Sequence, residues 1–122
     1  MKSEKKTLLI GASLNAERMS NRVAKLLAQQ EYETILIGNR DGSINENKIY
    51  TSLPDLKNID TVTMYLAPEK QSQYYNYILS LQPKRIIFNP GAENPELARL
   101  AVENGIEVIN ACTMVMLTIG NY

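Results

Sequence analysis

Residues 7–27, TLLIGASLNAERMSNRVAKLL, decide the fold. The apolar run Thr7-Leu8-Leu9-Ile10 predicts a buried strand that ends at Gly11. The apolar residues that follow recur at helical spacing: Val23, Ala24, Leu26 and Leu27. They predict a helix that is capped by Ser20 or Asn21. A strand joined to a helix through a glycine-bearing loop indicates a βαβ unit, hence a parallel sheet.

The rest of the chain alternates in the same way. Apolar runs predict further strands over residues 34–37, 61–66, 85–88 and 106–109, and a short extended piece is predicted over residues 48–50. Helices are predicted from Pro68 to Pro83 and from Asn94 to Asn104, the latter capped by Asn94. The pattern predicts one domain over residues 1–122. We expect a three-layer, Rossmann-like α/β domain with a five-stranded parallel sheet and helices on both faces.

Composition excludes several functions. The chain has 13 Lys and Arg against 13 Asp and Glu, whereas a nucleic-acid-binding domain normally has a basic excess, so we expect no nucleic-acid partner. Histidine is absent, which excludes Ser-His-Asp catalysis and histidine-bound zinc. A single cysteine, Cys112, forms no internal disulfide and builds no cysteine-rich metal site, so we expect no metal and a reducing cytoplasm.

The amino-terminal apolar run is too short for a membrane span or a signal peptide, so no membrane partner is expected. The preceding residues, Lys2 to Lys6, carry both charges and predict a solvated tail.

Ligands of an open parallel sheet bind outside the carboxyl ends of its strands. The segments predicted to arrive there are rich in small residues and amides and poor in carboxylates: residues 11–13, 39–40, 66–68, 89–91 and 110–112. Such a composition is better suited to holding a ligand than to transforming one.

The first of these segments has the features of a phosphate site. Gly11 permits a sharp turn, Ser13 and Ser20 offer hydroxyls, and Arg18 offers a planar cation beside a helix start. The loop has neither the three glycines of a dinucleotide fingerprint nor the GK[ST] of a P-loop. From the residues alone, a phosphate loop and a plain strand-to-helix turn both stay open.

Other candidates have simpler explanations. Tyr74, Tyr75 and Tyr77 suggest a base-stacking patch, but helical spacing favours packing. Cys112 is either reactive or a buried, inert thiol, and the second is commoner.

Five fragments in order carry a family resemblance: residues 11–23 (with Gly11-Ala12-Ser13, Arg18, Ser20 and Val23), 48–53, 67–69, 90–94 and 111–114. With them, nearly the whole chain resembles the small single-domain CoA-binding proteins. That family is related to the CoA-binding N-terminal domain of the succinyl-CoA synthetase α subunit. The resemblance implies a Rossmann-like domain that binds coenzyme A or an acyl-CoA.

Carried over to this sequence, the resemblance assigns the diphosphate to the first loop, the adenosine to the second, and the pantetheine to later loops. The implied cofactor-binding residues are Gly11, Ala12, Ser13, Arg18 and Ser20 for the phosphates, Asn39 and Arg40 for the adenosine, Leu66, Ala67 and Pro68 flanking the ligand, and Pro90, Gly91 and Cys112 toward the pantetheine.

The sequence departs from the family at two places. Gly38-Asn39-Arg40 replaces a frequent Asn-Pro, and an apolar run at residues 114–117 replaces a basic residue and a glutamate. The histidine that the synthetases phosphorylate has no counterpart, so their chemistry is not carried over. We therefore expect non-catalytic CoA binding. The alternatives are a small NAD(P)-dependent oxidoreductase, an acyl-CoA-handling enzyme, or an interaction module without ligand; a protein partner or homo-oligomer stays open.

Overall fold

The computed structural model describes residues 5–122. The predicted solvated tail lies mostly outside these residues, and its described end is not free. Lys5 Nζ donates to the Tyr122 carbonyl at 2.6 Å, and Lys6 Nζ donates to the Lys57 carbonyl at 3.0 Å. For these two lysines the prediction of a solvated tail is wrong, because both are held against the folded domain.

The described chain alternates between strands and helices. The strands are β1 (Thr7–Ala12), β2 (Thr34–Gly38), β3 (Gly42–Ile44), β4 (Asn47–Tyr50), β5 (Thr61–Met64), β6 (Arg85–Phe88) and β7 (Glu107–Asn110). The helices are α1 (Met19–Gln29), α2 (Tyr75–Leu81), α3 (Pro95–Glu103) and α4 (Thr113–Ile119), with two short 3₁₀ turns at Pro68–Lys70 and Ser72–Tyr74.

The strands form one mostly parallel sheet in the order β3-β4-β2-β1-β5-β6-β7. The prediction of a five-stranded, all-parallel sheet is wrong: the sheet has seven strands, and β3 pairs antiparallel with β4. These two strands are short and lie in a polar stretch, so they lack the continuous apolar signal of the others. Numbered among themselves, the six parallel strands run 3-2-1-4-5-6, which is the order of doubly wound nucleotide-binding sheets.

Helices cover both faces of the sheet, as the sequence predicts. Alternate residues of β1 point to opposite faces, so Leu8 packs in the core beneath α2 and α3, while Leu9 packs beneath α1 and α4. Ile78 and Leu97 complete the first core, and Leu27 contributes to the second. The continuous apolar runs of the central strands arise from this two-sided burial.

Of the two predicted helix caps, one is confirmed and the other is wrong. Asn94 caps α3 as predicted, its Oδ1 accepting a hydrogen bond from the Leu97 N–H at 3.0 Å. The predicted cap at Ser20 or Asn21 is wrong, because α1 begins at Met19 and its cap residue, Arg18, makes no side-chain capping bond.

The predicted helix after Pro68 is broken. Two 3₁₀ turns precede α2, and Gln71 lies fully buried between them. Its Nε2 donates to the carbonyls of Leu66 and Ala92, both at 2.8 Å. A buried amide that bonds two loops replaces the apolar contacts that a regular helix makes at this point.

Candidate functional site

Three adjoining depressions lie at the carboxyl ends of β1 and β2. Their volumes are about 220, 230 and 160 Å³. The first two share Ala12, Ser13 and Asn39, and the last two share Gly11 and Arg18, so together they form one surface, the carboxyl-edge groove. Its lining residues are 11–15, 18–20, 38–40, Ile49, Tyr65, Leu66, Lys70, Gln73 and Tyr74. This is where an open α/β sheet with this strand order binds ligands.

Two glycines let the chain pass closely beneath the groove. Gly11 has φ +102°, and a Cβ there would lie 3.1 Å from the Tyr65 carbonyl carbon. At Gly38, a Cβ would lie 2.5 Å from the carbonyl oxygen of Ala12. Side chains at these positions would therefore force apart the strand ends that form the floor of the groove.

The loop between β1 and α1 is folded by its own polar groups. Ser13 Oγ accepts a hydrogen bond from the Asn15 N–H at 3.1 Å, and Asn15 Oδ1 accepts one from the Glu17 N–H at 2.9 Å. Asn21 Nδ2 donates to the Ser13 carbonyl at 2.8 Å. These bonds fix the loop before any ligand arrives, which lowers the entropic cost of binding.

The amino terminus of α1 is open to an anion. No side chain caps it and its first turn has no carboxylate. Within residues 5–122 the N–H groups of Met19 and Ser20 have no hydrogen-bond partner. By contrast, α3 is closed by Asn94 and has Glu96 in its first turn. Free N–H groups and the positive end of the helix dipole favour a negatively charged group at α1.

The charges that line the groove are all positive. Arg18, Arg40 and Lys70 line it, whereas no Asp or Glu of residues 5–122 does. In the described part of the chain neither arginine forms an ion pair. Although the protein has no net charge, three cationic side chains therefore lie together around an uncapped helix start.

The structure brings together eight of the thirteen residues assigned from the resemblance. Those that line the groove are Gly11, Ala12, Ser13, Arg18, Ser20, Asn39, Arg40 and Leu66. Those that line none of the three depressions are Ala67, Pro68, Pro90, Gly91 and Cys112. Cys112 lies at the start of α4 and is half-buried, so its burial does not decide between a reactive and an inert thiol.

One wall of the groove was missed from the sequence. Lys70, Gln73 and Tyr74 lie on the two 3₁₀ turns and line the middle depression. Tyr74 packs against the core as predicted and also faces the groove. The available signal was Pro68, which begins a helical segment at the carboxyl end of a strand, where its first turns face the ligand.

Tyr65 lines the smallest depression from the end of β5. Its hydroxyl oxygen is buried and makes no hydrogen bond within residues 5–122, although the Thr63 and Thr113 hydroxyls are neighbours. Burial raises the pKa of the Tyr65 phenol, and Cys112 nearby raises it further. The phenol is therefore uncharged at neutral pH.

A larger depression, about 370 Å³, lies at the amino ends of β5 and β6. Asn58, Asp60 and Lys84 are among its lining residues, which follow no carboxyl strand end, so its size does not make it the ligand site. Among residues 5–122, no cluster of three His, Cys, Asp or Glu side chains offers a metal site. No helix in this range is long and apolar enough to cross a membrane.

Comparison with known proteins identifies structural neighbours and a family for this chain. A crystal structure of an uncharacterized protein is 43% identical, with a TM-score of 0.94; the match covers 99% of this chain and 100% of that one. A hypothetical protein from Pyrococcus horikoshii is 27% identical, with a TM-score of 0.82 and coverage of 91% and 80%. A conserved hypothetical protein from Pyrococcus furiosus is 26% identical, with a TM-score of 0.78 and coverage of 91% and 97%.

No curated protein matches the sequence. The profile of the CoA binding domain family matches residues 5–118, nearly the whole chain. The chain belongs to the CoA binding domain family.

Proposed function

We propose that the protein binds coenzyme A or an acyl-CoA in the carboxyl-edge groove and catalyses no reaction on it. One observation carries the proposal: a groove with three cations and no carboxylate surrounds an uncapped helix start, in a chain of the CoA binding domain family. CoA is a polyanion, with a diphosphate and a ribose 3′-phosphate, so this charge distribution suits it.

The diphosphate would lie over the first loop. The N–H groups of Met19 and Ser20 would donate to its oxygens, and Arg18 would donate from its guanidinium. The Ser13 hydroxyl already accepts from Asn15, which leaves its own proton free to donate to a phosphate.

The adenosine would lie over the end of β2. Asn39 and Arg40 line the groove there, and the exposed Arg40 guanidinium suits the ribose phosphate. The residues after β2 include no acid in the groove, whereas an NAD site places a carboxylate at this point for the ribose hydroxyls.

The pantetheine would leave past Leu66, with Ala67 and Pro68 beside it. Pro90, Gly91 and Cys112 would lie toward its thiol end, and their contact with ligand stays a prediction. Pro90 and Gly91 are exposed and Cys112 is half-buried, so all three are reachable from solvent.

The absence of catalysis is supported by the chemistry of the lining. The sequence has no histidine, and the groove has no carboxylate to act as a general base. An NADP-dependent oxidoreductase is the second candidate, because the parallel strand order is that of dinucleotide-binding sheets and Arg40 would suit a 2′-phosphate. We also propose a cytoplasmic location, since an unpaired cysteine fits a reducing compartment.

Calorimetric titration of the purified protein with CoA, acetyl-CoA, NAD and NADP tests the proposal. We expect both CoA compounds to bind and both nicotinamide nucleotides to bind at least tenfold more weakly. Equal or tighter binding of NADP would favour the oxidoreductase. Absence of binding by all four would favour a module that keeps the fold without the ligand. Mass spectrometry of small molecules released from protein purified from its native cells provides an independent check.

A further inference from the structure

The two edges of the sheet differ in how they are protected. At one edge, β3 has only three residues and belongs to a tight hairpin with β4, in which Asn45 adopts a left-handed conformation. At the other edge, β7 has no proline, no lysine and no bulge, and pairs in regular register with β6. Natural proteins usually interrupt a bare edge with one of these features, because an open edge accepts another strand.

The hydrogen bonds of β7 show which groups face outward. The Glu107 N–H donates to the Lys84 carbonyl and the Ala111 N–H donates to the Phe88 carbonyl, each at 3.1 Å. In a parallel ladder alternate residues bond the same neighbour, so Val108 and Asn110 direct their N–H and C=O groups away from β6. Within residues 5–122, β7 pairs with no strand other than β6.

The side chains of β7 leave apolar surface at this edge. Val108 packs against the core beneath α2 and α3, and Ile109 against the core beneath α1 and α4. Both are only half-buried, whereas the corresponding β6 residues, Ile86 and Ile87, are fully buried. Another strand beside β7 would cover the exposed part of both residues.

We propose that β7 pairs antiparallel with β7 of a second copy of this chain, about a twofold axis at Ile109. In this register Val108 exchanges two hydrogen bonds with Asn110 of the second copy, and the symmetric pair adds two more. Ile109 faces Ile109 of the second copy, and the one charged residue of the strand, Glu107, faces Ala111. No like charges meet, and all four outward backbone groups of each copy gain partners.

The register centred on Ile109 leaves fewer unpaired backbone groups than one centred on Val108. An axis at Val108 would pair Asn110 with Ile106, whose N–H already donates to the Ala101 carbonyl at 2.9 Å. A four-residue strand buries less area than a standard stable interface, so we expect a reversible dimer that forms at high protein concentration. The pairing does not depend on the proposed function.

Cysteine crosslinking tests both the pairing and its register, in the full chain with Cys112→Ser. Residues that face each other in a non-hydrogen-bonded antiparallel pair have Cα atoms about 4.5 Å apart, within the range of a disulfide. Mild oxidation of the Ile109→Cys variant should give a covalent dimer. Val108→Cys, one residue away on the opposite face, should stay monomeric under the same oxidation. Crosslinking of both variants alike, or of Val108→Cys alone, would overturn the register.

Sedimentation equilibrium tests the pairing without a crosslink. The Val108→Pro variant removes an outward N–H without removing a bond to β6, so it should fold and be monomeric at concentrations where the unmodified chain is dimeric. Ser43→Pro at the β3 edge should leave the dimer unchanged. An unmodified chain that stays monomeric at millimolar concentration would overturn the proposal, as would a Val108→Pro variant that folds and still dimerises.

Discussion

Asn21 Nδ2 donates a hydrogen bond to the Ser13 carbonyl at 2.8 Å and so ties the first turn of α1 to the exit of β1. Asn21 follows Ser13 by eight positions, and between them lies the whole loop that approaches the groove. Asn21 is only 3% exposed. It neither caps the helix nor lines the groove, yet it sets the distance between the loop and the open helix start.

Replacing Asn21 with Ala should therefore affect both stability and ligand binding. Loss of the bond leaves a carbonyl without its partner, so we expect the free energy of unfolding to fall by about 1–2 kcal/mol. CoA affinity should fall several-fold, because the ligand must then order the loop. Chemical denaturation and calorimetry measure the two effects. Arg22→Ala, an exposed neighbour outside the groove, should change neither. Unchanged affinity in a destabilised Asn21 variant would mean that the loop keeps its form without this bond.

Arg18 should contribute to affinity without contributing to the fold. It is exposed, lines two of the three depressions and forms no ion pair within residues 5–122. Arg18→Ala should weaken CoA binding by about 1.5–3 kcal/mol, the scale of a hydrogen bond to a charged group, and leave the melting temperature unchanged. Calorimetric titration of Arg18→Ala with CoA, with Arg22→Ala as the control, tests this prediction. If the two variants bind equally well, Arg18 does not contact the ligand.

Strong local signals made most of the layered fold predictable. The runs in β1, β2 and β6 are apolar on both faces because helices cover both faces of the sheet, so their burial can be predicted from the run of apolar residues. The Asn94-Pro95 pair predicts the start of α3, since a cap and a first-turn proline act within four residues. The hairpin β3–β4 was missed, although residues 48–50 of β4 were predicted to be extended. Gly42 and Ser43 of β3 are exposed and only Ile44 is buried, so this three-residue strand has no apolar run or alternation that would predict it.

The site was less predictable because it depends on contacts between distant segments. Gly11 and Arg18 were identifiable since they follow one strand and precede one helix. Pro68 indicated that this segment faces the ligand, but which of its residues line the groove wall, Lys70 and Tyr74 among them, depends on the break in the helix at Gln71. That break arises from bonds to Leu66 and Ala92, the second of which is 21 residues away. Such a long-range polar contact leaves no local pattern in the sequence.

Asn94 should be important for stability and not for binding. Its Oδ1 accepts from the Leu97 N–H, and its Nδ2 donates to Gln71 Oε1 at 2.9 Å and to the Tyr75 hydroxyl at 2.8 Å. Asn94→Ala removes a cap worth about 1 kcal/mol and leaves a buried Gln71 acceptor without that donor, so unfolding should become easier by about 2–4 kcal/mol. Asn94→Asp keeps the cap but places a carboxylate oxygen against Gln71 Oε1, so it too should be less stable than the unmodified protein. Thermal unfolding ranks the three; an alanine variant as stable as wild type would contradict the network.

Tyr65 should make the protein sensitive to alkali. Its pKa is raised in the folded state, mainly by burial, from an ordinary value of 10.0. Its contribution to the free energy of unfolding is therefore fully present below pH 10 and declines above pH 10, because the unfolded chain loses the phenol proton first. The slope of this decline is about 1.4 kcal/mol per pH unit. Tyr65→Phe should lower this slope and change stability little at pH 7, since the hydroxyl makes no hydrogen bond to any of residues 5–122. Denaturation at pH 7 and above pH 10 tests this; equal alkaline slopes would exclude Tyr65 as the cause.

Arg40 offers the sharpest distinction between CoA and other nucleotides. It is exposed at the end of β2, lines the groove beside Asn39, and forms no ion pair within residues 5–122. Its neighbour Asp41 lies outside the lining and accepts a hydrogen bond from Thr51 Oγ1 at 3.4 Å. A guanidinium here should favour a ribose phosphate by about 1–3 kcal/mol, so CoA should bind more tightly than dephospho-CoA, and NAD most weakly.

The Arg40→Ala variant isolates this contribution because it should change the affinity for CoA and not the affinity for dephospho-CoA. CoA affinity should fall until it approaches that of dephospho-CoA. Dephospho-CoA lacks the ribose 3′-phosphate that Arg40 would contact, so it should bind as it does to the unmodified protein. Arg99→Ala, which breaks the exposed pair with Glu103 far from the groove, should leave both affinities unchanged. Competition titrations with the two ligands give the difference directly. A variant that loses affinity for both ligands equally would place Arg40 against the diphosphate instead, and the adenosine would then lie elsewhere than over the end of β2.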